Sequence, residues 1–248
     1  MAEGARAGVL VTRPEPGLSD TMTELARRGW SPCAAPMLHV IPLPLKGATR
    51  FGRVVVTSGQ SLNSLAATLP HDIALTAVGR KTAERARACG FTSVDHAGGT
   101  ALSLVPHLGE PCGDPTLLLA TGRHLGQDLA RDLRNAGWSV SRRVVYMTQP
   151  VGHLSSSVCA RLSAGEIGAA LFYSAATAQA FLRAVGERRT ILRTITALAL
   201  STQIADVLAE APFAAVRTAE HPDQDSLLSL LDSPAHGPLH ATEKGSDA

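Results

Sequence analysis

The sequence predicts an α/β protein made of two related halves, and three features of the chain lead to this prediction. Short apolar runs alternate with helical patterns along most of the 248 residues, which is typical of parallel sheets flanked by helices. The apolar fraction is 45% and the aromatic fraction only 4%, so aliphatic side chains have to build the buried cores. The order of elements also occurs twice, and a chain of this length suits two lobes of roughly 100–125 residues each.

Ten strands are predicted from apolar runs that are bounded by glycine, proline or polar turns. They are residues 8–12, 33–39, 54–57, 74–78, 93–96, 116–120, 143–147, 169–173, 196–200 and 215–218. Helices with one apolar face are predicted at residues 18–28, 60–69, 82–89, 100–108, 125–136, 156–164, 177–185, 203–210 and 224–231. Because ten strands are many for one open sheet, we expect two flavodoxin-like lobes, each with a parallel five-stranded sheet flanked by helices.

An internal duplication supports this division. VLVTRP and ELARRGW near the start correspond to LLLATG and DLRNAGW after residue 116. VVVTSGQSLNSLAATL from Val54 then corresponds to ALFYSAATAQAFLRAV from Ala170, which places Ser58 opposite Ser174. LTAVGRKTAERARACGF from Leu75 corresponds to ALALSTQIADVLAEAPF from Ala197. Several elements that match in the same order indicate a tandem repeat.

Charge and cysteine content exclude several classes of protein. A formal net charge of +2 is too small for a general nucleic-acid binder, although it allows a local basic site for an acidic small molecule. The four cysteines are scattered at 33, 89, 112 and 159, which predicts reduced thiols rather than a zinc site or a disulfide framework. We find no segment suited to a signal peptide or a membrane span, so we expect a cytoplasmic protein without membrane contact.

The common catalytic signatures are missing. The sequence has no GxxxxGK[ST] loop, no GxGxxG and no GxSxG elbow, and no predicted strand ends in an acidic cluster. We therefore expect binding or catalysis without a metal or an organic cofactor.

Small hydroxyl residues stand where predicted strands end and helices begin, which is where ligands bind in open α/β sheets. Thr57, Ser58 and Ser174 hold such positions, and simple N-capping is the alternative role for them. Arg13 follows the first strand and could equally be a solvated surface residue. Tyr146 could equally be an interface residue with a satisfied hydroxyl.

The motifs together resemble the uroporphyrinogen-III synthase family. VLVTRPEP, VVVTSGQS, TAVGRKTAERARACGF, RRVVYMTQP and LFYSAATAQAFLRAVG occur in the family's order over about residues 8–231. The resemblance implies a cofactor-independent lyase of heme biosynthesis. Such an enzyme takes hydroxymethylbilane, a linear tetrapyrrole with acetate and propionate side chains, and expels its terminal hydroxyl as water. It then inverts the last ring through a spiro intermediate and closes the macrocycle to uroporphyrinogen III.

The resemblance also implies a domain arrangement. Residues 1–38 and 150–232 would form one discontinuous lobe and residues 41–147 the other, with the working site in the cleft. Two extended linkers near residues 38–45 and 146–151 would join the lobes, and the prolines at 42, 44 and 150 suit such crossings. Residues 233–248 are expected to be a disordered tail.

Site residues are carried over by motif position. The family's motif tyrosine falls on Tyr146, whose hydroxyl would assist departure of the substrate hydroxyl. The second copy of the VGRKT turn departs from the family, because Ser201 and Ile204 replace a glycine and a threonine there. Thr202 or Gln203 could supply the lost contact. The residues expected to bind substrate are Arg13, Thr57, Ser58, Gly79, Thr82, Ser174, Ser201 and Thr202.

Two functions of different classes follow. The first is the synthase, which we expect to be a monomer with hydroxymethylbilane as substrate and at most a transient contact with the upstream deaminase. The second is a non-catalytic bilobal small-molecule-binding or sensor protein. Tyr146 favours the enzyme, while the altered turn at 201–204 favours the binder.

Overall fold

The computed structural model describes residues 8–47 and 50–232, so the predicted tail at 233–248 lies outside the described residues. The chain divides into two compact units. Unit 1 contains the described residues of Met1–Arg13, Thr21–Ala35 and Gly152–Ala248, and unit 2 those of Pro14–Asp20 and Pro36–Val151.

Strands and helices alternate along most of the described chain. The strands are β1 Gly8–Val11, β2 Ser31–Ala34, β3 Leu38–Pro42, β4 Arg53–Val56, β5 Leu75–Ala77, β6 Val94–His96, β7 Thr116–Gly122, β8 Ser139–Pro150, β9 Ile167–Phe172, β10 Thr196–Ala199 and β11 Ala215–Thr218. The α-helices are α1 Gly17–Arg27, α2 Leu62–Ala66, α3 Arg80–Ala88, α4 Ala101–Leu108, α5 Gln127–Asn135, α6 Ser156–Ser163, α7 Ala175–Val185, α8 Thr202–Leu208 and α9 Gln224–Ser229. Two 3-10 segments lie at Gly59–Ser61 and Gly186–Thr194. In this described part, no helix has the length and apolar character needed to span a bilayer.

Unit 1 holds a five-stranded sheet in the order β11-β10-β9-β1-β2, and every pairing in it is parallel. All four residues of β1 are buried, as are nearly all of those in β9. A continuous apolar run suits a strand that helices cover on both faces. Phe172, the last residue of β9, packs with Phe181 and Phe213, and the ring centroids are 5.3 to 6.4 Å apart. The predicted parallel five-stranded sheet is found in this unit.

Unit 2 differs from the predicted five-stranded sheet because it has a sixth strand. Its order is β3-β8-β7-β4-β5-β6, with β3 antiparallel to the end of β8 and the other pairings parallel. Pro42 and Pro44 predict a linker here, yet Pro42 pairs with Tyr146. A proline is tolerated at this place because β3 is an edge strand, where one missing N–H breaks no ladder bond on the inner side. The two segments expected as linkers are extended and form one antiparallel pair.

The single strand predicted at 33–39 is two strands that belong to different sheets. β2 pairs with β1 in unit 1, and β3 pairs with β8 in unit 2. Pro36 lies in the short segment between them and has no backbone N–H to continue a ladder. The apolar run is continuous in sequence, but the backbone leaves one sheet and enters the other.

The duplicated segments exchange partners between the sheets. β1 and β2 of the first copy pair with β9, β10 and β11 of the second, while β7 and β8 of the second copy pair with β4, β5 and β6 of the first. Numbered by position in the repeat, both sheets have the flavodoxin-like order 2-1-3-4-5, and β3 is an addition to unit 2.

Alternating side chains of the central strands of unit 2 supply two cores. Val54, Val56 and Leu118 belong to the core on one face of the sheet, and Val55 and Leu119 to the core on the other. Both faces are thus covered, which leaves the ends of the strands as the place where polar side chains collect.

Candidate functional site

Each sheet has one point where the chain's winding direction reverses. In unit 2 it lies between β4 and β7, since β5 follows on the far side of β4 and β8 on the far side of β7. In unit 1 it lies between β1 and β9. Loops leave the carboxyl ends of such neighbouring strands in opposite directions, which opens a crevice where ligands bind in α/β sheets.

Tyr146 lies at the reversal point of unit 2. It is partnered with Gly122 at the end of β7 and with Pro42 on β3, and the residue is only 4% exposed. The ring lies directly over Gly122: a Cβ on that glycine would be 2.6 Å from Tyr146 Cζ and 2.9 Å from its hydroxyl oxygen. Only a glycine at 122 leaves room for this ring.

The phenol of Tyr146 is held in its protonated form. Burial raises its pKa above the ordinary 10.0, while the Ser58 hydroxyl and the Gly122 backbone act in the opposite direction. Groups that lower the pKa of an acid favour its anion, so Ser58 and the Gly122 backbone would stabilise a phenolate at Tyr146.

The other predicted residues of unit 2 lie at the carboxyl ends of neighbouring strands. Thr57 and Ser58 follow β4, and Ser58 Oγ accepts the Gln60 backbone N–H at 3.3 Å, so the N-capping role is real. Gly79 caps α3 after β5, and a Cβ there would be 3.0 Å from Gly99 Cα. Thr82 is only 9% exposed in the first turn of α3.

The loop after β7 completes this edge of unit 2. The Arg123 backbone N–H donates to the Tyr146 carbonyl at 3.0 Å, which ties the loop to β8. His124 follows with a φ of 64°, a conformation that few residues other than glycine adopt. Backbone of this kind is found at ligand sites more often than elsewhere.

A cavity of about 430 Å³ lies in unit 2 beside the 3-10 turn that follows Ser58. Gly59 and Gln60 line it, together with Arg85 of α3. Arg85 donates to the Pro16 carbonyl at 3.0 Å and pairs with the Asp20 carboxylate. The positive charge of Arg85 is thus already compensated by the carboxylate of Asp20, which lines the same cavity.

In unit 1, Arg13 lies over the ring of Tyr173, with its guanidinium carbon 4.1 Å from the ring centroid. Arg13 Nη1 donates to Gln224 Oε1 at 3.2 Å and to Thr21 Oγ1 at 3.4 Å. Thr21 Oγ1 is also 3.5 Å from the Tyr173 hydroxyl. Burial raises the pKa of Tyr173, while Thr21 and Arg13 oppose that rise. Arg13 is therefore held within a side-chain cluster at the β1/β9 reversal point.

The remaining predicted residues of unit 1 begin helices. Ser174 caps α7 and accepts the Thr177 backbone N–H at 3.2 Å. Ser201 holds the equivalent position before α8 but makes no side-chain capping bond, and Thr202 is the first residue of that helix. The N-capping alternative therefore holds for Ser174 and not for Ser201.

Sequence reasoning overlooked Tyr173, Gly122 and Gln224. Tyr173 reads as a core residue in the sequence because it continues an apolar strand, yet it is half-buried and contacts Arg13. Its place directly before Ser174 was the available signal. Gln224 gave no signal, since 211 residues separate it from Arg13.

Among the described residues, no group of three or more histidine, cysteine or acidic side chains could hold a metal ion. The polar groups gathered at the two sheet edges are hydroxyls, backbone N–H groups and a guanidinium. These groups suit carboxylates and a leaving hydroxyl.

Comparison with known proteins identifies the family. A family model described as uroporphyrinogen-III synthase HemD matches residues 19–229. The crystal structure of uroporphyrinogen-III synthetase from Helicobacter pylori 26695 aligns with a TM-score of 0.60 at 21% identity, covering 91% of this chain and 97% of that one. A mutant uroporphyrinogen III synthase from the extremely thermophilic bacterium Thermus thermophilus aligns with a TM-score of 0.49 at 21% identity, covering 91% and 98%. No curated protein sequence matches the chain. Because the family model spans most of the sequence, the chain belongs to the uroporphyrinogen-III synthase family.

Proposed function

We propose that Tyr146 is the group that assists the departure of the terminal hydroxyl when this enzyme cyclises hydroxymethylbilane. The family to which the chain belongs consists of lyases that carry out this ring closure. The observation that carries the role of Tyr146 is its phenol, which is protonated, nearly buried and packed on Gly122 at the carboxyl edge of a sheet.

The chemistry of the step balances within the substrate and Tyr146. As the carbon–oxygen bond of the hydroxymethyl group breaks, Tyr146 donates a proton or a hydrogen bond to the departing oxygen, which leaves as water. The Ser58 hydroxyl and the Gly122 backbone stabilise the negative charge that develops on the phenol oxygen. The last pyrrole ring then attacks the cationic carbon through the spiro intermediate that inverts this ring, and the proton that the substrate loses on ring closure returns to the Tyr146 phenolate.

The substrate's acetate and propionate groups need partners that do not require a large net charge. We assign this role in unit 2 to Thr57, Ser58, Gly79 and Thr82, and in unit 1 to Arg13, Ser174, Ser201 and Thr202. Hydroxyls and backbone N–H groups at strand ends bind carboxylates well because helix N-termini add a positive dipole end. Ser58 and Ser174 each also accept a backbone N–H from the turn or helix that follows, which fixes the hydroxyl at the strand end.

The experiment couples porphobilinogen and its deaminase to this protein, followed by oxidation and separation of the porphyrin isomers. Tyr146→Phe keeps the ring over Gly122 and removes only the hydroxyl. We expect kcat to fall by about a hundredfold or more, the range seen when a general acid is removed. The thermal unfolding midpoint should change little, since the packing of the ring is retained.

Ser58→Ala is the companion variant. It removes the hydroxyl that opposes the rise in the pKa of Tyr146, so this pKa should rise further and kcat should fall less than in Tyr146→Phe. Tyrosinate absorbance during an alkaline titration measures the first effect. Full rate and full isomer selectivity in Tyr146→Phe would rule out the assigned role. If the wild-type protein yields isomer I alone, the synthase activity itself is wrong.

The domain division, the compartment and the oligomeric state of the enzyme are also proposed. We assign residues 1–38 with 150–232, and 41–147, to two folding domains, and we place the enzyme in the cytoplasm as a monomer that meets the upstream deaminase only transiently. The four cysteines are all unpaired thiols, which fits a reducing compartment. Nothing in the comparisons supports the alternative of a non-catalytic binding protein.

A further inference from the structure

The chain contains two tyrosines, and each lies at the winding reversal of one sheet. Tyr146 is accounted for by the proposed chemistry, whereas Tyr173 is not. Tyr173 follows β9 directly, and its ring lies 4.1 Å from the Arg13 guanidinium carbon. A guanidinium over an aromatic face gains electrostatic attraction and also loses freedom of orientation.

Four separate parts of unit 1 fix the position of Arg13. Arg13 itself follows β1, Tyr173 follows β9, and Thr21 and Gln224 lie on α1 and α9. Thr21 is fully buried, and its hydroxyl accepts from Arg13 and donates to Gln224 Oε1 at 3.3 Å. Both of these acceptors for Arg13 are neutral oxygens, and together they orient the guanidinium.

We propose that Tyr173 is a positioning residue: its ring holds the Arg13 guanidinium at the carboxyl edge of the unit 1 sheet in the orientation that takes a substrate carboxylate. The inference rests on the proposed function, because it concerns the carboxylate contact assigned to Arg13. A planar guanidinium meets a carboxylate through two parallel hydrogen bonds, so its orientation matters as much as its charge. Fixing that orientation before binding lowers the entropy lost on binding.

Tyr173→Leu and Tyr173→Phe separate the ring from its hydroxyl. Leucine removes the aromatic face, and we expect KM for hydroxymethylbilane to rise about three- to tenfold, with a much smaller change in kcat. Phenylalanine keeps the face and should recover most of that loss. A purely structural role would instead lower the unfolding midpoint, and the loss of activity would not fall mainly on KM.

A double-mutant cycle with Arg13→Gln tests whether Tyr173 acts through the arginine. Arg13→Gln alone should raise KM, and Tyr173→Leu added to it should raise KM little further. Independent, multiplicative effects of the two substitutions would overturn the proposal. A fall in kcat at unchanged KM in Tyr173→Leu would overturn it as well.

Gln224→Glu provides a test that leaves Tyr173 intact, in case the leucine variant fails to fold. The new carboxylate would lie at the position of an oxygen now 3.2 Å from Arg13 Nη1 and would compete with the substrate. We expect KM to rise about three- to fivefold. Gln179→Glu, on the exposed side of α7, makes the same charge change and should leave KM unaltered.

The outcomes distinguish this inference from the proposed function. If wild type forms uroporphyrinogen III but Arg13→Gln and Gln224→Glu both leave KM unchanged, the Arg13 site is wrong while the activity stands. If wild type forms isomer I alone, the activity is wrong.

Discussion

At the scale of single residues, the ring of Tyr146 is packed tightly on Gly122. A Cβ at 122 would lie 2.6 and 2.7 Å from two ring carbons, closer than any real contact allows. We therefore expect Gly122→Ala to displace the ring, lower the free energy of unfolding by about 1–3 kcal/mol and reduce kcat. Chemical denaturation and the coupled isomer assay measure the two effects.

Gly152→Ala is the matched control for that substitution. A methyl group added at Gly152 would have no heavy atom within 4 Å, and the residue needs no left-handed backbone. Its replacement should leave both stability and rate close to wild type. Equal effects at positions 122 and 152 would show that the ring does not depend on the missing side chain of Gly122.

Within the candidate site, the positions of the hydroxyl residues at strand ends could be predicted better than the residues that they lie beside. Ser58 and Ser174 stand at strand ends in both copies of the repeat, so their place could be predicted from local pattern. The pairing of Tyr146 with Gly122 could not, because it depends on the register between β7 and β8. The contact of Arg13 with Tyr173 joins residues that only the exchange of strands between copies brings together.

At the scale of elements, the N-termini of α7 and α8 form a natural pair. Ser174 caps its helix through the Thr177 N–H, whereas Ser201 makes no side-chain capping bond. Ser174→Ala should therefore lower the free energy of unfolding by about 1 kcal/mol, and Ser201→Ala by a few tenths at most. Thermal or urea unfolding measures both.

Comparing Ser174→Ala with Ser201→Ala also separates an effect on stability from an effect on substrate binding. Any rise in KM in Ser201→Ala would come from a lost substrate contact, since no cap is removed. Equal destabilisation by the two substitutions would mean that Ser201 caps its helix after all.

Most elements could be predicted because apolar runs and helix caps are local signals. The predictions failed where the pairing of distant strands overrode these local signals. Residues 33–39 form one apolar run but two strands, because Pro36 interrupts the ladder. The segment before Pro150 was expected as a linker but extends β8, because β3 lies beside it and supplies hydrogen-bond partners.

At the scale of the whole molecule, each unit has its own buried core and one tryptophan. Trp30 lies in unit 1 and Trp138 in unit 2, where its indole N–H donates to the Gly109 carbonyl at 2.8 Å. Single-tryptophan variants made with Trp30→Phe or Trp138→Phe therefore report the unfolding of one unit each.

Leu10 and Leu118 hold equivalent positions in the two sheets, and both are fully buried. In the variant that retains Trp138, Leu118→Ala should lower the free energy of unfolding by about 2–5 kcal/mol. The same substitution should shift the Trp30 transition less, and Leu10→Ala should show the opposite preference. Identical shifts at both tryptophans would indicate a single cooperative unit.

The fold class could be predicted from the sequence because a tandem repeat of strands and helices leaves few alternatives. The exchange of β1 and β2 with β7 and β8 could not be derived from the repeat itself. Pairing within each copy and pairing between the copies would bury the same apolar faces, since the two copies have the same pattern of apolar residues. The resemblance to the family supplied that information.

The antiparallel pair of β3 and β8 has a consequence for how this chain can be cut and rejoined. Val151 donates its N–H to the Met37 carbonyl at 2.9 Å, and Leu38 is partnered with Pro150. Segment 36–151 therefore starts and finishes at backbone positions about 5 Å apart, the spacing of paired strands. Because its ends lie this close together, we expect segment 36–151 to fit into a surface turn of another protein without stretching the host, and to be exchangeable with homologous segments at the same two junctions. The graft would have to supply a substitute for Pro14–Asp20, which belong to the same unit.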